Sequence, residues 1–302
     1  MTIAITGGTG FVGQALLDEA QVQGTRLRVL TRRRQDKRKG IAWVAGDLAD
    51  RRAHARLVAG AEAVIHIAGL TTSRHAADLR AANVEGTLAL VEAALQAGVP
   101  RFVFVSSLSA REPGLSAYGA SKARAEQIVK ASGLDWTIVR PPAVYGPRDD
   151  ALFELFRMAR WGLVATPRQG SASLIHAQDL ARLLLALVPG GEAVTHKTFE
   201  PDDGKQGGWS HGELAEAIGR AMGRRVKVLA LSRRTMAWAA RADGLVRGAR
   251  AKLTLDRAGY LSHPDWVVGQ GARVPFEIWR PRVETREGLK ATAQWYREQG
   301  WL

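Results

Sequence analysis

Apolar residues in the first half of the chain follow two alternating patterns. Short runs that are apolar throughout predict strands, and stretches with apolar positions at helical spacing predict the helices between them. Continuously apolar strands that alternate with helices are typical of a parallel sheet covered on both faces. The pattern therefore predicts an α/β fold with a doubly wound parallel sheet. The predicted strands are residues 2–5, 26–31, 41–45, 63–67, 101–105 and 135–139, and the predicted helices are residues 14–23, 48–59, 76–97 and 118–132.

A glycine-rich turn joins the first predicted strand to the first predicted helix. Gly8, Gly10 and Gly13 have the G-x-G-x-x-G spacing, and Gly7 starts an overlapping G-x-x-G-x-x-G spacing. Glycine at these positions allows a tight turn, a close approach of the backbone to a pyrophosphate, and close packing of helix on strand. The free N–H groups at the helix start then face the phosphates. We predict a dinucleotide site here, with contacts from Gly7, Thr9, Gly10, Phe11, Val12 and Gly13.

The end of the second predicted strand indicates which dinucleotide is bound. A site selective for NAD usually has Asp or Glu about 20 residues past the glycines, where it binds the ribose 2′-hydroxyl. This chain has Arg32 and Arg33 there, inside the basic run 32–39. Arginine offers a planar fork of donors that suits a 2′-phosphate. We therefore favour NADP(H), with NAD(H) as the alternative; a merely solvated loop is the other interpretation of the two arginines.

Composition restricts the class of protein and its partners. The 302 residues contain no cysteine, which excludes disulfides, thiol catalysis and cysteine-ligated metal, and we expect no metal site. Neither a signal pattern nor a membrane-spanning apolar run is present, so we expect a soluble, cytoplasmic protein. The net charge is +14, but residues 1–200 hold 25 Lys and Arg against 18 Asp and Glu, and residues 201–302 hold 18 against 11. Because this excess is spread evenly, we expect a small-molecule substrate and no nucleic-acid or membrane partner.

Candidate catalytic residues follow the fifth predicted strand. Ser107 lies at its carboxyl end, where ligands bind in such sheets. Tyr118 and Lys122 are four residues apart in the next predicted helix and therefore share one face. A neighbouring ammonium favours the phenolate, so we expect the pKa of Tyr118 to move from about 10 towards neutrality. Ser107 would then donate a hydrogen bond to a substrate oxygen. Taken alone, a Tyr and a Lys at this spacing are commonly a surface pair.

The ordered set of motifs resembles the extended, epimerase/dehydratase-like branch of the short-chain dehydrogenase/reductase superfamily over roughly residues 1–190. The motifs are the glycine turn 6–13, Gly46-Asp47-Leu48, residues 66–69, Asn83-Val-Glu-Gly-Thr87, Ser106-Ser107, Tyr118-x-x-x-Lys122 and residues 140–147. The resemblance implies a Rossmann-type sheet and a catalytic set of Ser107, Tyr118, Lys122 and Asn83. It also implies that Lys122 holds the nicotinamide ribose, and that family members often pair through helices like 76–97 and 118–132. The further cofactor contacts that it implies are Asp47, Leu48, Ala68, Gly69, Pro141, Ala143 and Val144.

The resemblance divides the chain into two predicted domains. Residues 1–147, with a return segment at 171–190, would form the dinucleotide-binding domain; residues 148–170 and 191–302 would form a substrate-binding cap. Within the cap, Ser210 and Glu213 have the spacing of a helix capping box. Further elements are predicted as helices at 152–160, 180–187, 213–222, 232–249 and 289–302 and as strands at 171–176, 195–199 and 225–229.

Three functions fit these residues. The leading interpretation is an NADP(H)-dependent oxidoreductase, in which Tyr118 moves the proton while hydride passes between nicotinamide and a carbonyl or alcohol carbon. The second is a nucleotide-sugar epimerase or dehydratase. Ala143 counts against it, because many nucleotide-sugar members of the family have Asn at that position. The third is a non-catalytic NADP(H) sensor or accessory subunit, against which the intact Ser107, Tyr118 and Lys122 argue.

Overall fold

The computed structural model describes residues 2–248 and 255–302, which fall into two compact units. The first unit comprises Met1–Pro141, Gln178–Pro201 and Gly271–Arg280, and the second comprises Pro142–Ala177, Asp202–Gln270 and Pro281–Leu302. These bounds differ from the predicted domains in four segments: residues 142–147 and 171–177 fall in the second unit, and residues 191–201 and 271–280 fall in the first. The role of the second unit as a substrate-binding cap stays a prediction.

The first unit is built on a seven-stranded parallel sheet in the order β3-β2-β1-β4-β5-β6-β11. Its strands run through the core and are apolar because both faces are covered. The strand order reverses between β1 and β4, which is where ligands bind in open α/β sheets. The predicted Rossmann-type fold is confirmed. The strands are β1 (Thr2–Thr6), β2 (Arg26–Thr31), β3 (Ile41–Ala45), β4 (Ala63–His66), β5 (Arg101–Val105), β6 (Asp135–Val139) and β11 (Lys197–Phe199).

The helices of the first unit pack their apolar faces on this sheet. Side chains from β4, β5 and β6 and from the helices on one face make one buried cluster that includes Leu57, Leu90, Phe102, Phe104 and Val129. The helices are α1 (Phe11–Val22), α2 (Arg51–Val58), α3 (Ala76–Arg80), α4 (Gly86–Gln96), α5 (Ala117–Lys130) and α7 (Ala177–Ala186), whose first residue falls in the second unit.

The predicted helix 76–97 contains an irregularity that its sequence pattern does not reveal. Residues 76–96 are helical, but the turn Ala81–Glu85 between α3 and α4 is a π-helix. A π-turn accommodates one extra residue and is found frequently at functional sites. This one contains Asn83, whose contacts are described below.

The second unit uses short strands and a helical core. Three small sheets pair β10 with β7, β12 and β14 with β9, and β13 with β8. Around them α6, α8 and α11 pack on one another through a cluster that includes Tyr145, Phe156, Ile218, Leu289 and Tyr296. The strands are β7 (Ala143–Tyr145), β8 (Leu163–Pro167), β9 (Ser171–Ala172), β10 (Leu174–His176), β12 (Trp209–Ser210), β13 (Lys227–Leu231) and β14 (Asp265–Trp266). The helices are α6 (Phe153–Ala159), α8 (His211–Ala221), α9 (Arg233–Arg247), α10 (Leu255–Leu261) and α11 (Thr285–Glu298).

The structure confirms some of the elements predicted for this unit and corrects others. The capping box is confirmed, since the Ser210 hydroxyl accepts from the Glu213 amide and the Glu213 carboxylate accepts from the Ser210 amide. The predicted strand 171–176 is two strands, separated at Ser173, whose hydroxyl donates to Asp202. The predicted helix 232–249 is present as α9, and its last predicted residue, Ala249, lies outside the described residues. No helix of the described chain is long and apolar enough to cross a membrane.

Candidate active site

The glycine turn after β1 is a cradle that only glycine can form. Gly7 has φ +77°, and a Cβ there would lie 2.6 Å from the backbone nitrogen of Ala68. A Cβ on Gly13 would overlap the carbonyl oxygen of Gly7, and one on Gly8 would overlap Val29. These contacts hold α1 directly against the turn, so the turn has the close helix-on-strand packing that the sequence pattern predicts.

The start of α1 is free for an anion. α1 begins at Phe11, and the residue before it, Gly10, has no side chain to cap the helix. The first intrahelical bond at this end runs from the Gln14 amide to the Gly10 carbonyl, so the N–H groups of residues 11–13 have no acceptor within the helix. Thr9 and Gly10 are exposed, and Phe11 and Val12 are half-buried. Exposed N–H groups and the positive end of the helix dipole fit a pyrophosphate.

Arg32 and Arg33 lie directly after β2, and both are exposed. The Thr31 hydroxyl donates to the Arg33 carbonyl (2.8 Å), which fixes the backbone of this turn. Within the described residues neither guanidinium has an acidic partner. By contrast, Arg38 in the same basic run pairs with Asp18 (2.6 Å) and is already engaged. Two uncompensated guanidinium groups beside the predicted ribose position fit a 2′-phosphate.

The other predicted cofactor contacts in the first unit follow β3, β4 and β6. The Asp47 carboxylate accepts from the amides of Ala49 and Asp50, closing a turn. Leu48 packs against Gly86, which has no room for a Cβ. Ala68 and Gly69 follow β4 directly beside Gly7, so the structure brings these two loops together. Pro141 is buried after β6, and its carbonyl accepts from the Leu108 amide (2.9 Å).

A buried hydrogen-bond chain connects β1, β4 and the π-turn through His66. The Thr87 hydroxyl donates to the Asn83 carbonyl (2.6 Å), so it accepts from His66 Nε2 (2.9 Å). His66 Nδ1 therefore accepts from the Thr6 hydroxyl (2.6 Å), which in turn accepts from the Ala68 amide. Burial lowers the pKa of His66 well below its usual value, which keeps the ring in the neutral form that this chain requires. The sequence motif contained His66 but did not indicate this role.

Asn83 uses its whole amide to hold other residues in place. Its nitrogen donates to the Leu70 carbonyl and to the Ser121 hydroxyl (both 2.9 Å), and its oxygen accepts from the Leu70 amide (2.8 Å). Ser121 lies in α5 between Tyr118 and Lys122. In this geometry Asn83 is a positioning residue that ties the loop after β4 to the helix of the candidate catalytic pair.

Ser107, Tyr118 and Lys122 come together at the carboxyl end of β5. Ser107 caps a short 3-10 helix (Leu108–Arg111), and its Oγ accepts from the amide and the hydroxyl of Ser109 (3.2 and 2.9 Å). A serine oxygen accepts two hydrogen bonds and donates one, so Ser107 is left to donate to its third neighbour, the Tyr118 phenol. Lys122 is buried, with Nζ donating to the Val105 carbonyl (2.7 Å) and lying 4.3 Å from the Phe104 ring centroid.

The protonation of this group differs from the sequence expectation. Burial raises the pKa of Tyr118, and the Ser107 hydrogen bond offsets that rise only in part. The expected shift towards neutrality is therefore wrong for this structure, because desolvation of the phenolate outweighs the hydrogen bond from Ser107. Burial also lowers the pKa of Lys122 to about 7, while Glu126 acts in the opposite direction. Tyr118 is thus held in its protonated form.

A network of hydrogen bonds and ion pairs around Glu126 adjoins the candidate catalytic residues Ser107 and Lys122. Glu126 lies one turn after Lys122 and accepts from Ser106 (2.6 Å), the residue before Ser107. Arg140 donates two hydrogen bonds to the Glu126 carboxylate (2.8 and 2.7 Å) and also pairs with Glu200. The pKa of Arg140 is raised, chiefly because its guanidinium donates hydrogen bonds to the Glu126 carboxylate. The sequence analysis missed Glu126 as a supporting residue, although its i+4 spacing from Lys122 was visible.

The remaining predicted contacts, Ala143 and Val144, belong to the second unit. They form β7, which pairs in parallel with β10 and is half-buried. At the end of β10, His176 packs its ring edge-on against Tyr145, with centroids 5.1 Å apart. Nothing in this geometry gives Ala143 a polar group for a ligand, as its side chain is a methyl.

Comparison with known proteins gives results of two kinds. A sequence model of the NAD dependent epimerase/dehydratase family matches residues 3–199. Ceramide reductase of Caulobacter vibrioides is 34% identical over 313 aligned positions, which cover 99% of this chain and 96% of that protein. The 2-alkyl-3-oxoalkanoate reductase of Stenotrophomonas maltophilia is 30% identical over 326 aligned positions, which cover 96% and 98%. The solved structure of MoeE5 in complex with UDP-glucuronic acid and NAD has a TM-score of 0.75 at 22% identity and covers 99% of both chains. This last likeness concerns the fold.

Proposed function

We propose that this chain, which belongs to the NAD dependent epimerase/dehydratase family, is an NADP(H)-dependent reductase that converts a ketone on a long-chain, lipid-like substrate to an alcohol. The observation that carries the proposal is the Ser107–Tyr118 pair. Burial keeps the Tyr118 phenol protonated, and the Ser107 hydroxyl donates a hydrogen bond to it. A protonated phenol is the form that donates to a carbonyl oxygen, whereas oxidation of an alcohol begins with the phenolate.

The residues of the first unit fit the cofactor. The glycine cradle and the uncapped start of α1 would hold the pyrophosphate. Ala68 and Gly69 would line the cofactor path beside it, and Lys122 would bind the nicotinamide ribose. Arg32 and Arg33 would bind the 2′-phosphate, which is the reason to favour NADP(H) over NAD(H). When bound, the reduced nicotinamide supplies the hydride.

The chain's own residues would handle the substrate oxygen. As the carbonyl carbon receives the hydride, Tyr118 donates its proton to the oxygen, and the product is a secondary alcohol. With a carbonyl bound, the Ser107 hydroxyl would turn its proton from the Tyr118 phenol to the same substrate oxygen and stabilise the charge that develops there. Charged Lys122 stabilises the phenolate that Tyr118 becomes, and its hold on the Val105 carbonyl fixes its position.

The substrate class is inferred from the relatives. The two reductases compared above are named for a ceramide and for a 2-alkyl-3-oxoalkanoate, and the second name specifies a 3-oxo group. Ala143 supports a substrate without a diphosphate, because it offers no polar anchor. A nucleotide-sugar epimerase remains the second candidate, favoured by the epimerase/dehydratase family to which the chain belongs.

We also propose that the chain forms a homodimer through the helices α4 and α5. The face formed by α3, the π-turn, α4 and α5 has an open groove lined mainly by small and apolar side chains, among them Ala77, Val84, Leu88, Ala120 and Ile128. Leu88 is exposed in the single chain. A second copy would cover this apolar surface, and sedimentation equilibrium of wild type and Leu88→Glu tests the proposal. An unchanged mass in the variant would contradict it.

Cofactor selectivity is tested by fluorescence titration of the purified protein with NADPH and NADH. The double variant Arg32→Ala/Arg33→Ala should bind NADPH roughly 10–100-fold more weakly and NADH nearly as wild type, since only the 2′-phosphate contact is lost. The double variant Arg51→Ala/Arg52→Ala, also exposed in the first unit, is the matched control. Tighter binding of NADH than NADPH by the wild type would overturn the cofactor assignment.

Turnover is tested with two substrates side by side. A long-chain 3-oxo ester should consume NADPH stoichiometrically and give the 3-hydroxy product. UDP-glucose should give neither net change in cofactor nor a new sugar nucleotide. If UDP-glucose is converted and the ketone is not, the epimerase is the correct function. If NADPH binds but neither substrate nor a wider ketone panel turns over, the chain is a sensor or an accessory subunit.

A further inference from the structure

The excess positive charge of the chain has two local concentrations, the basic run 32–39 beside the predicted cofactor site and the segment 220–248 in the second unit. Residues 220–248 contain eight Lys and Arg and a single acidic residue, Asp243, so this tenth of the chain holds half of the net charge of +14. A comparison of residues 1–200 with residues 201–302 does not reveal this cluster, because each portion has the same net charge. It covers the end of α8, the strand β13 and the whole of α9, all within the second unit.

α9 has a narrow inner face and a broad exposed one. Of its 15 residues only Met236 and Ala240 are buried, and they pack with Ala258 of α10 in a small apolar cluster. These two residues are four apart and define the inward side of the helix. At 100° per residue, Trp238 and Leu245 lie on the opposite side, and Arg234 and Arg241 lie next to them. The outer face of α9 therefore combines large apolar side chains with guanidinium groups.

The apolar side chains on this face are unusually exposed for their size. Trp238 is 68% exposed, Leu245 88% and Val246 83%. The guanidinium of Arg241 stacks over the Trp238 ring, with Cζ 5.3 Å from the centroid. Among the described residues, Arg233, Arg234 and Arg241 have no acidic partner. Exposed apolar residues that are clustered in this way mark an interaction surface.

We propose that the outer face of α9 binds the surface of a membrane that contains anionic phospholipid. Arg234 and Arg241 supply the attraction to the lipid phosphates, and Trp238, Leu245 and Val246 enter the boundary between headgroups and acyl chains. A helix with Trp and Leu among arginines is the composition of helices that lie in this boundary. Tryptophan in particular concentrates at the level of the headgroups. This departs from the expectation of no membrane partner, which rested on the even spread of charge.

The apolar residues distinguish a membrane from a nucleic acid. Phosphate contacts with DNA or RNA need the arginines alone, and aliphatic residues such as Leu245 and Val246 gain nothing from facing a polyanion in water. In the headgroup region both kinds of side chain are stabilised at once. The proposal is independent of the proposed function, because binding to vesicles needs neither cofactor nor substrate.

The test is co-sedimentation of the full chain with vesicles. We expect binding to vesicles of phosphatidylcholine mixed with phosphatidylglycerol at low salt, little binding to phosphatidylcholine alone, and a loss of at least about tenfold in high salt. The double variant Arg234→Glu/Arg241→Glu should bind at least ~tenfold more weakly, because each cation near the surface contributes substantially. The double variant Trp238→Ser/Leu245→Ser should bind several-fold more weakly at equal charge.

Matched controls come from exposed residues of the first unit. Val22 on α1 is 85% exposed, so Val22→Ser removes an apolar side chain of similar exposure. Arg52→Glu on α2 reverses an exposed charge. Neither control should change vesicle binding. All variants alter exposed side chains, and an unchanged circular dichroism spectrum and thermal midpoint verify that they fold.

Four outcomes would overturn the proposal. The first is no binding to the anionic vesicles at low salt. The second is binding that both α9 double variants retain, which would place the contact elsewhere. In the third, the Trp238→Ser/Leu245→Ser variant loses self-association, measured by light scattering, but binds vesicles as the wild type does. That result would make this face a contact between copies of the chain. Binding to a DNA duplex that depends on the arginines but not on Trp238 would assign the cluster to nucleic acid instead.

Discussion

The two units of the chain differ in how their structure depends on local sequence. In the described part of the first unit, all the strands join one parallel sheet, and its cofactor cradle is set by backbone contacts of Gly7, Gly8 and Gly13. In the second unit the strands are mostly two to five residues long and pair in three small sheets. The cofactor cradle proposed for the first unit thus depends on a few short motifs, whereas the surfaces of the second unit arise from packing between segments that are distant in the chain.

The largest expected effect comes from Tyr118, the proposed proton donor in the first unit. Tyr118→Phe should lower kcat for ketone reduction by about 10²–10⁴-fold, because the proton donor is lost while the ring remains. NADPH affinity, measured by fluorescence titration, should stay within about twofold of wild type. The variant Tyr260→Phe, in α10 of the second unit, is the control and should keep its activity. Turnover of Tyr118→Phe near the wild-type rate would contradict the mechanism.

The next effect tests the glycine cradle. Gly13→Ala places a methyl group against the carbonyl oxygen of Gly7 and the backbone of Gly8, and neither can move without opening the turn. We expect a loss of about 1–3 kcal/mol in the free energy of unfolding and a large loss of NADPH affinity. Urea unfolding and titration measure the two quantities. A Gly13→Ala protein that binds NADPH as wild type would show that the cradle is not the pyrophosphate site.

A smaller effect is expected at Glu126. The pH profile of kcat/KM distinguishes an electrostatic effect of Glu126 on Lys122 from a purely structural one. Burial gives Lys122 a pKa of about 7, and the Glu126 carboxylate acts to raise it. If charged Lys122 is needed, kcat/KM should fall as the pH rises through about 7. Glu126→Gln removes the negative charge and lowers the Lys122 pKa further, so this fall should begin at a lower pH. For a fall of about one pKa unit we expect roughly fivefold lower kcat/KM at pH 7 and roughly tenfold lower well above pH 7.

The control for this variant is Glu92→Gln, which removes a carboxylate that pairs with Arg51 at the surface of the same unit. Its pH profile should match the wild type. If Glu126→Gln lowers kcat/KM equally at every pH, Glu126 acts only by holding Ser106 and Arg140, and the electrostatic role is wrong.

The smallest effect is expected in the second unit. Gly244 lies inside α9, and a Cβ there would meet no atom within 4 Å. Gly244→Ala should therefore stabilise the chain by ~0.5–1 kcal/mol through helix propensity alone, with activity unchanged. Thermal unfolding measures this gain. Destabilisation would show that this face of α9 is packed more closely than the structure indicates, and would weaken the contrast with Gly13.

The parts that the sequence predicted correctly are those set by local patterns. The strands β2, β3, β5 and β6 have the predicted bounds, because each is a short, mainly apolar run followed by polar or turn residues. The capping box of α8 is likewise a contact within four residues. The Rossmann-type sheet follows once the order of strands and helices is known.

The parts that the sequence did not predict depend on contacts between distant residues. The π-turn at Asn83 is tied to β1 through Thr87, His66 and Thr6, which are far apart in the chain. The direction of the Tyr118 pKa shift was wrong because burial is a tertiary property, and spacing in a helix shows only which residues are neighbours. Glu126 was overlooked for the same reason, since its partners Ser106 and Arg140 end two different strands.

The central claim is that Tyr118 and NADPH reduce a ketone. The most direct measurement uses NADPH carrying deuterium at the reactive position of its nicotinamide, a long-chain 3-oxo ester, and mass spectrometry of the product. The account predicts one deuterium at the carbinol carbon for each NADP⁺ formed, and a loss of that product in Tyr118→Phe. An unlabelled product, or a labelled product formed equally well by Tyr118→Phe, would contradict it.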